Sequence, residues 1–175
     1  MYGSSRPVLV AGVSGSAASA AALRWAADEA RRRGARLIAV RAWLPAQPAH
    51  YAVYAGHHDA DHERQAASSA LAATVRATFG AKPPPGMFTE VTEGMPERVL
   101  VERSAGADML VLGSTSAPSL AGRSVGPVIR SCLSRAHCPV VVIGPQSSPG
   151  LAGPRDARSR QEETAGHPDS AAIPI

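Results

Sequence analysis

Short apolar runs alternate along this chain with longer segments whose apolar residues recur at helical spacing, and few architectures accommodate that order. Pro7 to Val13 is an apolar run closing on a glycine- and serine-rich turn, as a strand buried on both faces does. Ser16 stands where a helix N-cap is needed, and Gly34 stands where the same helix must stop after about Arg33. Between them Ala18, Ala22, Trp25, Ala26 and Glu29 fall at helical spacing, and the small residues permit close approach to a sheet. Arg36 to Trp43 reads as a second strand, after which residues 44–60 break the pattern with Pro45, Pro48 and Gly56. From Asp61 to Phe79 the pairs Ala66/Ala67, Ala70/Leu71, Thr74/Val75 and Thr78/Phe79 lay one apolar stripe along a helix. Met87 to Glu93 alternates as an edge strand would, and Gly94 with Pro96 opens a helix that closes at Gly106. Asp108 to Leu112 is a fourth strand, 113–125 a loop, and Pro127 begins a helix striped by Val128, Ile129, Cys132, Leu133 and Ala136. Pro139 to Ile143 is the fifth strand. Five strands alternating with four helices require parallel pairing through right-handed crossovers, hence an α/β doubly wound parallel sheet with helices on both faces.

The 175 residues suit one domain with a real core, and with two tryptophans, three tyrosines and two phenylalanines that core must be aliphatic. The expected division is a folded domain over 1–144 and a disordered tail over 145–175, whose Pro, Gly, Ser and charge cannot offset ordering entropy. No apolar run approaches the roughly 18 residues of a membrane helix, and no signal-peptide pattern is read at the N-terminus. Cys132 and Cys138 make no disulfide framework, so a cytoplasmic setting is expected. The net charge of +4 invites a nucleic-acid reading, but the arginines argue against it. Arg24, Arg31, Arg32, Arg33 and Arg36 intersperse with Asp28 and Glu29, and Asp28 is spaced to pair with Arg24 and Arg32 on a solvated helix face. No aromatic residues interleave as a base-stacking platform requires.

In a doubly wound sheet, ligands bind beyond the carboxyl ends of the strands where strand order reverses. Two loops have fitting composition, Gly12 to Ser16 after strand one and Gly113 to Gly126 after strand four. Three stretches, VLVAGVSGSAASAAALRWAADEARRRGARLIAVRAW, EGMPERVLVERSAGADMLVLGS and VIRSCLSRAHCPVVVIG, occur in an order and spacing that resemble the universal stress protein family over most of residues 7–144. The resemblance implies strand order 3-2-1-4-5 and a Rossmann-like fold of the adenine nucleotide alpha hydrolase type. It also implies an ATP or AMP crevice at Gly12, Val13, Ser14, Ala42, Gly113, Ser114, Ser116, Gly126, Pro127 and Val128. A homodimer through the last strand is a further implication. Val140, Val141, Val142 and Ile143 form an apolar sheet edge, which soluble proteins normally cover.

The departures from the family pattern concern phosphates. Nucleotide-binding members carry Gly-x2-Gly-x9-Gly-[Ser/Thr] after strand four. Here the second glycine is Ser116, the hydroxyl residue is Pro127, and the strand-one Asp is Ser14. A phosphate cradle aims backbone N–H groups and a helix N-terminus at the anion. Pro127 has no N–H, Pro118 removes another donor, and Ser116 adds a Cβ where glycine permits close approach. The expectation is a non-catalytic stress-response module with a degenerate adenine-nucleotide crevice, in which binding is weak or lost. The alternative is a functional ATP-binding member of the family with slow hydrolysis.

Other constellations read as structure. Gly12-Val-Ser-Gly-Ser16 lacks the glycine two residues after the serine that a nucleophile elbow needs. His58 and His62 share a helical spacing but have no evident third ligand, so no metal is expected. Cys132 and Cys138 read as packing residues. With no paired carboxylates and no Walker lysine, catalysis is not expected.

Overall fold

A computed structural model describes residues 6–45, 60–115 and 125–145. Among these, strands β1 (Val8–Gly12), β2 (Arg36–Trp43), β3 (Met87–Glu93), β4 (Met109–Gly113) and β5 (Val140–Ile143) alternate with helices α1 (Ala17–Arg33), α2 (Ala60–Phe79), α3 (Pro96–Ser104) and α4 (Pro127–Arg135). All strand pairs are parallel and the sheet order is β3-β2-β1-β4-β5. The element order and the sheet topology are those expected. The tail beyond Pro145 lies outside the described residues.

Each face of the sheet buries its own aliphatic cluster. Leu9, Ala11, Leu37, Ala39 and Val111 pack under α1 and α2 with Leu23, Leu71 and Val75. Val10, Val40, Leu110 and Leu112 pack under α3 and α4 with Val99, Leu100, Ile129 and Cys132. Successive residues of one strand therefore feed opposite cores, which is why the inner strands read as continuous apolar runs. The start of β1 is tied to β4 by the Val8 N–H, which donates to the Asp108 carboxylate at 2.8 Å. Between the two helices on the other face, Ser104 Oγ accepts the His137 N–H at 2.9 Å.

Local chemistry sets the ends of α1. The Ser16 hydroxyl accepts from the Ser19 N–H, and Gly34 leaves the helix at φ 61°, where a side chain would be strained. Its surface charges pair differently from the expected spacing. Asp28 meets Arg31 at 3.1 Å, while Glu29 takes both Arg32 and Arg33. The two arginines hold the Glu29 carboxyl below its ordinary range. Glu29 is the less exposed of the two carboxylates, at 14% against 48% for Asp28.

One expected apolar position, in the stripe of α4, is not covered. Leu133 is 54% exposed. The short helix α4 packs on α3 and β5, so its covered stripe is Ile129 and Cys132, and Leu133 falls beyond the rim. On the edge strand β3, Phe88 is 51% exposed and is capped by the Arg36 guanidinium, 4.9 Å from its ring centre.

Candidate nucleotide crevice

Beyond the carboxyl ends of β1 and β4 the structure opens a cavity of about 590 Å³. Gly12, Val13, Ser14, Ala42, Gly113, Ser114, Gly126, Pro127 and Val128 all line it. Of the expected site positions only Ser116 is missing, because it lies outside the described residues, as do Pro118 and Gly122. The strand-order reversal between β1 and β4 makes this opening, since the connections leave to opposite faces there.

Packing explains two of the glycines. A Cβ on Gly113 would overlap the Ala18 carbonyl and come within 2.7 Å of the Ser19 nitrogen, so the start of α1 lies directly on the end of β4. A Cβ on Gly12 would meet Leu112 at 2.8 Å and Leu100 at 3.2 Å. Gly126 differs from both. Its φ is −55° and a Cβ there would touch nothing within 4 Å, so sterics do not require glycine.

Among the described residues, the donors that a phosphate would use are few. Gly126 is the N-cap of α4, makes no side-chain cap bond, and is followed by Pro127. The Ser114 N–H is already given to the Ile143 carbonyl at 2.8 Å, and the Val13 N–H to the Val40 carbonyl at 2.9 Å. Hydroxyls are more plentiful, with Ser14, Ser16, Ser19, Ser114 and Thr115 on the wall. Ser14 Oγ lies 3.0 Å from Ser16 Oγ, and no imidazole or carboxylate hydrogen-bonds to it among the described residues. Pro96, Leu100, Leu112 and Ile129 form the apolar wall that would face a flat ring.

The sequence reading missed those four residues, together with Ser16, Ser19, Val40, Arg41 and Thr115. Most gave no signal, because they look like ordinary core or cap residues. Arg41 did give one, as a charge inside an otherwise apolar strand. Among the described lining residues it is the only charged side chain. His62 is an exposed position on α2, and His57 and His58 lie outside the described residues. No grouping of metal-ligand side chains occurs among the described residues. Burial pushes the Cys132 and Cys138 thiols up, which suits packing rather than nucleophilic chemistry. No described helix is long and apolar enough to cross a membrane.

A family model described as the universal stress protein family matches residues 5–144. Universal stress protein Rv2005c of Mycobacterium tuberculosis is 36% identical over 136 residues, covering 78% of this chain and 44% of that protein. The chain spans about half the length of the curated relatives it matches. Among solved structures, UspA from Lactobacillus plantarum is 24% identical with TM-score 0.57, covering 79% of this chain and 99% of that one, a likeness of fold. A universal stress protein crystallised in complex with cAMP is 25% identical with TM-score 0.52, covering 82% of this chain and all of that one.

Proposed function

Given that the chain belongs to the universal stress protein family, we propose that it is a non-catalytic regulatory module whose crevice takes an adenine nucleotide with a weakened grip on a triphosphate. The observation that carries this reading is the start of α4. Gly126 offers no capping side chain and Pro127 at the first helical position offers no N–H, yet both line the crevice. Proline there keeps the helix while blunting its anion site. A lost hydrogen bond to a charged group costs about 1.5–3 kcal/mol, or roughly tenfold or more in affinity. The apolar wall and the hydroxyls support the adenosine half of the ligand, and the cAMP complex of a relative supports the adenine class.

Absence of catalysis follows the same residues. Phosphate hydrolysis needs a positioned base and a metal-holding carboxylate, and the described lining supplies neither. The cytoplasm is the setting that two unpaired thiols suit. A homodimer through β5 completes the proposal, because a second copy would cover an apolar edge.

Titration of ATP and adenosine into wild type and Pro127→Ser tests the site. The variant should bind ATP about tenfold tighter, with adenosine unchanged, since the recovered N–H and hydroxyl face phosphates. Equal ATP affinity in both proteins would remove Pro127 from the account.

A further inference from the structure

Arg41 sits near the carboxyl end of β2, directly after the buried pair Ala39 and Val40. By strand alternation its side chain is on the face of Leu37 and Ala39, under α1 and α2. It is partly covered, and its Nη1 is buried with no hydrogen-bond partner. No ion pair to it occurs among the described residues. A buried N–H without an acceptor is costly, and folded proteins rarely keep one idle.

The head of Arg41 lies beneath the turn from β1 to α1, where a Cβ added to Gly15 would be 3.4 Å from Nη1. Gly15 itself is held at φ +93°, so that turn tolerates no side chain without strain. On either side of it Ser14 and Ser16 present hydroxyls 3.0 Å apart, and both line the crevice with Arg41. The same turn starts a 17-residue helix with no acidic side chain in its first turn, and the peptide dipoles there favour an anion. A guanidinium has five N–H donors in one plane, so a head with Nη1 sealed still has others to give a phosphate.

We propose that Arg41 is a binding residue of this crevice and, with Ser14 and Ser16, holds the single phosphate of an adenine mononucleotide at the β1–α1 turn rather than at the start of α4. The identity of the ligand's body rests on the nucleotide reading above. The arrangement accounts for a crevice whose only charged described residue is a partnerless cation. It also needs no divalent metal, because guanidinium and hydroxyls meet the phosphate directly.

The test is calorimetric titration of AMP, adenosine and inorganic phosphate into wild type, Arg41→Met and Arg41→Lys, with melting temperatures of the free proteins. Wild type should bind AMP about tenfold tighter than adenosine, with or without magnesium. Arg41→Met should bring AMP down to the adenosine level while adenosine is unchanged, and Arg41→Lys should restore part of the difference. The free Arg41→Met protein should melt no lower than wild type, since it loses a guanidinium whose buried Nη1 has no partner. Should that variant fail to fold, Arg41→Gln reads the same comparison. Equal AMP affinity with and without Arg41, or parallel loss of AMP and adenosine, would overturn the inference. If wild type takes no adenine compound, the nucleotide reading fails by itself. The anion site is then judged by phosphate, which must raise the melting temperature of wild type and not of Arg41→Met.

Discussion

Gly113 shows how one missing side chain can carry both the fold and the site. The backbone of Ala18 and Ser19 occupies the space a Cβ would need, and a helix backbone cannot step aside as a side-chain tip can. Gly113→Ala should therefore cost roughly 2–4 kcal/mol, at the severe end of overpacking, and shift the first turn of α1 away from the crevice. Urea denaturation measures the loss, and a midpoint within error of wild type would refute the close approach. Cys132 makes a second residue-level case. Burial raises its thiol above the ordinary value of 9.0. A group with a raised native pKa contributes stability that is complete below its unfolded pKa and fades as pH climbs through the native one. Stability should thus decline above about pH 9, and Cys132→Ala should flatten that decline while lowering stability at neutral pH through lost packing. Denaturation midpoints from pH 7 to 10 check the sign, and an identical alkaline decline in both proteins would contradict it.

At the scale of elements, β5 is the exposed question. Among the described residues it pairs with β4 on one side only, and all four of its residues are partly covered rather than buried. Val141 and Ile143 adjoin one core while Val140 and Val142 adjoin the other, so the strand is apolar on both faces, and no described strand pairs with its outer edge. A symmetric partner would close that edge without permitting further growth. Sedimentation at micromolar concentration should give twice the chain mass, and the melting temperature should rise with protein concentration. A monomer with a concentration-independent melting temperature would count against the dimer. The elements themselves were legible in the sequence because their signals are local. Ser16 and Gly34 bracket α1, Pro96 and Pro127 open α3 and α4, and unbroken apolar runs mark the inner strands. The side of α4 that Leu133 faces was not legible. Helical spacing gives a stripe, but only the neighbouring α3 and β5 decide how wide the covered part is.

For the whole molecule, the site was legible where it depends on the sheet and illegible where it depends on side chains meeting across it. Reversal of strand order at β1 and β4 places Gly12, Ser14, Gly113 and Pro127 together whatever else happens. The meeting of Arg41 with Gly15 depends on rotamer, turn geometry and the packing of α2, which no spacing rule contains. Nor could the sequence tell that Gly113 serves helix packing, since close backbone approach to a helix and to a phosphate both select glycine. The central proposal is that this crevice takes an adenine nucleotide with a weakened grip on a triphosphate. Calorimetric titration of ATP and AMP into the wild-type chain, with and without magnesium, tests it most directly. The account predicts that AMP binds at least as tightly as ATP and that magnesium changes neither affinity. Low-micromolar ATP binding that exceeds AMP binding and requires magnesium would contradict it.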